Sequence, residues 1–275
     1  MSTFQVIVLA LIQGITEFLP VSSSAHLALA PWLFGWKDQG LSFDIALHVG
    51  TLLAVVIYFF RDWLQVIAQG FGLRFGHDPE LGRNRSLLWL LALGSIPIGV
   101  AGLLFKEHAE TSLRSPFVIG TMLVAVGILM QIADSTSRRR KGIEHVNTLD
   151  AVLIGLCQAV AIVPGTSRSG ITLTAGLLRN LDRAAAARFS FLLSTPAVFA
   201  AGAKALLDLR KAGGVPPDMM MPFALGIAVS AASGCLAIGF LMRYLRRSSL
   251  RPFVYYRVIF GIMIIALAIL RHPAE

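Results

Sequence analysis

Gln13-Gly14-Ile15-Thr16-Glu17-Phe18-Leu19-Pro20-Val21-Ser22-Ser23-Ser24-Ala25-His26 is a polar break inside an apolar stretch, 4–34, and it decides the fold. Pro20 removes a helical hydrogen bond, and the serines behind it suit the first turn of a new helix. A second apolar stretch, 149–181, breaks in the same way at Val163-Pro164-Gly165-Thr166-Ser167-Arg168-Ser169-Gly170. Irregular backbone at membrane depth is stable only where protein or a water-filled cavity surrounds it. Both stretches therefore predict re-entrant helical hairpins.

The rest of the chain supplies the membrane. Of its 275 residues, 56% are hydrophobic and 14% charged, where a soluble domain carries about 25% charged residues. Apolar runs long enough to cross a bilayer as helix occupy 42–60, 87–105, 116–133, 188–207, 222–242 and 253–270. The prediction is an all-α polytopic membrane protein with six transmembrane helices and two re-entrant hairpins. Trp32, Trp36, Trp63 and Trp89 fall near span ends, as an aromatic belt would. Cys157 and Cys235 sit in apolar stretches and read as buried free thiols. Ala28-Leu29-Ala30 resembles a cleavage site, but no basic segment precedes it and Glu17 and Pro20 interrupt the run, so an uncleaved N-terminus is expected.

The two halves carry the same landmarks in the same order. Each begins with a broken hairpin. A span led by Ser42-Phe43 or Ser190-Phe191 follows, and each half closes with a span opened by Pro116-Phe117-Val118 or Pro252-Phe253-Val254. Internal duplication is the natural reading. A single membrane domain, 1–275, then consists of a first repeat, 1–135, and a second, 148–272, joined by a basic linker. Three spans per repeat make the second inverted relative to the first.

Charge assigns the sides. The net charge is +9, and its basic residues lie in short loops, which favours topology and lipid headgroups over nucleic acid. Call the N-terminal side A. Side B then holds Arg61, Arg74, Arg83 and Arg85, the linker Arg138–Lys141, and Arg243, Arg246, Arg247 and Arg251. It also holds Arg179, Arg183 and Arg188, whereas side A has Lys37, Lys106, Arg114, Lys204, Arg210, Lys211 and Arg271. The bias puts side B in the cytoplasm and both termini outside. The hairpins then enter from opposite faces and meet near the midplane.

Ionisable groups at that depth are by default functional. Gln13 and Glu17 are four apart and share a helical face; Ser23 and His26 are three apart beyond the break. This one stretch offers a carboxylate, a hydroxyl nucleophile and an acid/base, unless Glu17 and His26 simply pair with each other. The second break places Arg168 among Ser167, Ser169 and Thr172 at a helix N-terminus, a site suited to an oxyanion. Arg257 reads either as a second phosphate ligand or as an interface anchor. His48 reads equally as packing or site.

These residues carry a resemblance. Gln13 with Glu17, the Leu19-Pro20-Val21-Ser22-Ser23 run ending at His26, and Pro164 through Thr172 look like the two signature motifs of the undecaprenyl-diphosphate phosphatases, the bacitracin-resistance family. The likeness covers nearly the whole chain. That family accepts Glu or Gln at the place of Gln13 and usually has glycine where Ala25 stands. The resemblance implies hydrolysis of undecaprenyl diphosphate to undecaprenyl phosphate, which recycles the carrier lipid for peptidoglycan synthesis and confers bacitracin resistance. Ser23, His26 and Glu17 would be the catalytic group. Arg168, Ser167, Ser169, Thr172, Ser22 and Arg257 would bind phosphate, with Gln13 in support. Either Ser23 attacks phosphorus or a water does so directly. A divalent cation, Mg²⁺ or Ca²⁺, held by Glu17, would assist. The expected partners are the polyprenyl diphosphate and membrane lipids, with room for a homodimer. The rival function is a carrier that flips polyprenyl phosphate.

Overall fold

The computed structural model describes residues 1–110, 112–211 and 214–271. The expected repeat boundary at 272 and the C-terminal end lie outside these residues. Twelve α-helices run in order: α1 (Thr3–Phe18), α2 (Ser23–Phe34), α3 (Leu41–Tyr58), α4 (Phe60–Gly70), α5 (Pro79–Arg83), α6 (Leu87–Glu110), α7 (Pro116–Thr136), α8 (Thr148–Ala159), α9 (Arg168–Leu178), α10 (Arg183–Lys211), α11 (Met220–Leu245) and α12 (Arg251–Arg271). Among the described residues there is no strand, only an isolated bridge between Lys141 and Leu181. Five helices, α6, α7, α10, α11 and α12, are long and apolar enough to span a membrane. The bent pair α3–α4, which turns by 71°, makes a sixth when the two helices are counted as one span. The protein is an all-α polytopic membrane protein. One expectation needs correction: 61–86 is not a plain loop. An apolar stripe at helical spacing, with polar residues opposite, winds α4, and Asp78 caps α5 by accepting the Glu80 and Leu81 N–H groups.

Apolar side chains cover the outside. Leu103, Leu236 and Leu270 are about three-quarters exposed (79%, 76% and 76%), an arrangement that water penalises and lipid does not. Inside, helices approach through small residues. A side-chain carbon added at Gly155 of α8 would run into the Gly94 carbonyl of α6. Gly120 of α7 and Gly261 of α12 each face the other's carbonyl in the same way. Close approach through small residues is how membrane helices gain packing energy without a hydrophobic driving force.

Both predicted breaks form, and they are built alike. The first helix of each pair opens with a capping box, Ser2 with Gln5 and Asn147 with Asp150. After the break, Ser22 and Ser167 cap α2 and α9 with left-handed backbones, at φ 78° and 67°. Ser22 Oγ accepts the Ala25 N–H, and Ser167 Oγ accepts the Gly170 N–H. Non-glycine residues held there cost on the order of 1–3 kcal/mol each, a strain that clusters at functional sites. Packing matches too: α1 lies on α11 as α8 lies on α6, and α7 on α12.

Ion pairs concentrate at one end. Arg188 joins Asp62 and Asp78, each at 2.8 Å, while Arg183 and Arg139 converge on Asp134. Asp62, Asp78, Arg139, Arg183 and Arg188 line a cavity of ≈ 830 Å³ together with Arg246. All its arginines were assigned to side B. Burial pushes the Asp78 carboxyl up, but the Arg188 hydrogen bond and the Leu81 and Glu80 N–H groups outweigh it and hold it below the usual range.

Candidate active site

Two helix N-termini, those of α2 and α9, meet in the interior, and each brings one functional side chain to Glu17. Glu17 ends the last turn of α1, buried, at 8% exposure. Ser23, the first residue of α2, donates its hydroxyl to Glu17 Oε2 at 2.5 Å. Arg168, the first residue of α9, pairs with Glu17 Oε1. Gln13 Nε2 donates to Oε2 at 3.0 Å from one turn earlier. The arrangement is local geometry made by the breaks: Pro20 stops α1 just past Glu17, so α2 can turn Ser23 back onto it.

A cavity of ≈ 410 Å³ opens over this group, lined by Glu17, Ser23, Ser24, Ser167 and Arg168 together with Asp44, His48 and Arg114. Arg114 is a residue that the charge pattern of the sequence assigned to side A. His48 Nε2 lies 3.7 Å from Glu17 Oε2. Ser24, Asp44 and Arg114 were not among the predicted site residues, and His48, read equally as packing or site, lines the cavity. Asp44 and His48 sit one turn apart on α3, and that spacing of two ionisable residues in an apolar span was the signal available.

The other predicted residues are elsewhere. His26 does not reach Ser23 or Glu17. Its Nδ1 meets the Ser22 carbonyl at 2.7 Å, its Nε2 meets the Tyr256 hydroxyl at 2.6 Å, and its ring stacks on Phe260. The Ser22 carbonyl can only accept, so Nδ1 carries a proton and Nε2 accepts from Tyr256. Both nitrogens are thereby committed to scaffolding. The (i, i+3) spacing put His26 on the face of Ser23, but α12 packs beside α2 and captures the ring.

Arg257, read as a phosphate ligand or an interface anchor, does not line this cavity. It is fully buried, at 0% exposure, and donates to the carbonyls of Pro20, Gly165, Thr166, Leu123 and Met122. Broken helices leave carbonyls without partners, and one guanidinium satisfies those of both breaks at once. Ser169 Oγ adds a bond to the Leu19 carbonyl, and Ser24 Oγ accepts the Gly165 N–H. Thr172 bonds the Arg168 carbonyl and Ser190, and Ser22 caps its own helix. Ser22, Ser169, Thr172 and Arg257 thus build the frame, while Ser167 and Arg168 line the cavity.

The residues do not form a cage for a resident divalent cation. Both Glu17 oxygens already receive donors, Gln13 turns an N–H toward the carboxylate, and among the described residues no three His, Cys, Asp or Glu side chains converge.

Comparison with known proteins follows the same residues. A family model described as "Bacitracin resistance protein BacA" matches 6–263. An undecaprenyl-diphosphatase of Pelotomaculum thermopropionicum is 45% identical over 271 residues, 98% of each chain. That of Moorella thermoacetica is 47% identical over 272 residues, covering 98% of this chain and all (100%) of the relative. An "Undecaprenyl-diphosphatase 2" of Stutzerimonas stutzeri is 47% identical over 277 residues, 97% of this chain and 98% of its own.

Proposed function

This chain belongs to the bacitracin resistance protein BacA family and is a membrane phosphatase; on that premise we propose that it hydrolyses undecaprenyl diphosphate to undecaprenyl phosphate and inorganic phosphate. The observation that carries the reading is the Ser23 hydroxyl held on the Glu17 carboxylate, with Arg168 on the same carboxylate's other oxygen. A carrier of lipid phosphate needs the arginine but gains nothing from a hydroxyl poised on a base.

In this account the terminal phosphate enters the cavity between the N-termini of α2 and α9. Free N–H groups, the helix dipoles and Arg168 stabilise its oxygens as charge shifts in the transition state. Glu17 takes the Ser23 proton while Oγ bonds to the terminal phosphorus. The bond from that phosphorus to the bridging oxygen breaks, and undecaprenyl phosphate leaves with the electron pair. Water then hydrolyses the phosphoserine.

Recycling of the carrier lipid for peptidoglycan synthesis and bacitracin resistance would follow from this reaction in the bacterial inner membrane. Arg114 of side A at the cavity and the basic residues on side B support a site facing outside, where the diphosphate product of cell-wall transfer emerges. A cysteine placed at Ser2 and labelled by an impermeant reagent only from the cytoplasm would overturn that orientation. Release of phosphate from C55 diphosphate by the purified protein in detergent tests the reaction itself. Folded protein that moves polyprenyl phosphate across vesicles and releases none would establish the carrier instead.

A further inference from the structure

We propose that His48 is the base for the second half of the reaction, taking a proton from the water that attacks phosphoserine. This rests on the serine reading above and extends it. Glu17 holds the Ser23 proton after the first transfer and must return it to Oγ as the phosphorus–oxygen bond to serine breaks. The attacking water therefore needs a different base, and His26 lies away from Ser23 and Glu17 with a partner on each ring nitrogen.

His48 meets the requirements. Its Nδ1 lies 2.8 Å from the Asp44 carbonyl. A carbonyl only accepts, so in neutral His48 the proton is on Nδ1 and Nε2 carries a free lone pair. That Nε2 lies 3.7 Å from Glu17 Oε2, too far for a direct hydrogen bond, so its lone pair is open to a water in the cavity. The side chain is 37% exposed and lines the cavity with Ser23 and Arg168. The base thus stands beside the carboxylate that holds Ser23 and still reaches water, to which it can release the proton.

Among the described residues, the charged and titratable groups around it are few. Glu17 faces it from α1, Arg168 from α9, Asp44 from its own helix and Arg114 from the segment between α6 and α7; α10 presents Ala197, Val198, Ala201 and Gly202 to the cavity. The step balances. The water oxygen bonds to phosphorus and its proton passes to Nε2; the bond to Oγ breaks, and Oγ takes back the proton from Glu17. Inorganic phosphate leaves, and His48 gives its proton to the cavity water.

The test is rapid quench of His48→Asn and His48→Ala in detergent with undecaprenyl diphosphate labelled in its terminal phosphate. Asn keeps an N–H for the Asp44 carbonyl but supplies no base. Turnover should fall about 100-fold or more. A burst of undecaprenyl phosphate matching the protein should precede slow phosphate release, with label accumulating on the chain. Imidazole should speed release from His48→Ala. Variants that turn over like wild type, or slow ones that neither accumulate label nor respond to imidazole, would overturn the proposal. Ser23→Ala in parallel separates the two levels. If it takes no label and releases nothing, the serine reading stands whatever His48 does. If it releases phosphate normally, both fall.

Discussion

Glu17 and Arg168, 151 positions apart in sequence, form one ion pair at the meeting of the two broken hairpins. Each is supplied by a different half of the chain, so the pair exists only when both breaks are formed and apposed. Truncating Arg168 to Met leaves the Glu17 carboxylate buried without its counter-charge, at a cost of about 3–5 kcal/mol. The double variant Glu17→Gln/Arg168→Met removes both charges and should regain much of that loss in thermal unfolding in detergent. Phosphatase activity should be abolished in both. Equal destabilisation of single and double variants would show that the pair is not coupled.

His26 bonds the carbonyl of Ser22, the strained cap immediately before Ser23. Its replacements should rank by which nitrogen they imitate. Asn places an N–H where Nδ1 stood, Gln places one nearer Nε2, and Ala supplies neither. Activity is expected to fall in the order Asn, Gln, Ala, with Asn retaining the most. Equal loss in all three, or Gln outperforming Asn, would contradict the positioning role and return His26 to proton transfer.

Arg257→Lys keeps the charge and loses the fork that serves five carbonyls. Lysine has three donors from a single nitrogen and cannot reach both breaks and α7 together. Stability should drop by about 2–5 kcal/mol, since each buried carbonyl left unpaired costs about 1–3 kcal/mol. Stability unchanged in thermal unfolding would mean that the breaks hold without it.

The parts of this account that sequence revealed are those fixed by local chemistry. Pro20 and Pro164-Gly165 announced both breaks because proline and glycine interrupt helix wherever they occur. Glu17, Ser23 and Arg168 stood out because ionisable and hydroxylated residues are costly in apolar surroundings. The surroundings of His26, His48 and Arg257 were not legible for one shared reason: they depend on which distant helix lies beside them. No spacing along the chain shows that α12 stacks on His26, or that α3 sets His48 against Glu17. Arg257 could have been read better. Two breaks leave several buried carbonyls, and a lone interior arginine with five donors is the natural group to satisfy them.

Gln13 donates to Glu17 where a glutamate would oppose it. In Gln13→Glu, two carboxylates would share one site, and a divalent cation is the simplest way to hold both ionised. The wild type should contain less than one equivalent of Mg²⁺ or Ca²⁺ after dialysis against a chelator. Gln13→Glu should bind such an ion more tightly and lose more activity on chelation. Stoichiometric metal retained by the wild type would show a resident ion site and contradict the donor geometry described above.

The most direct test of the central claim is to quench the wild-type protein during turnover of terminally labelled undecaprenyl diphosphate and map the label by peptide mass. The account predicts one added phosphate, on Ser23, absent from Ser23→Ala, which releases no phosphate. Full phosphate release by Ser23→Ala, with no label on the wild-type chain at any quench time, would contradict it and leave direct attack by water.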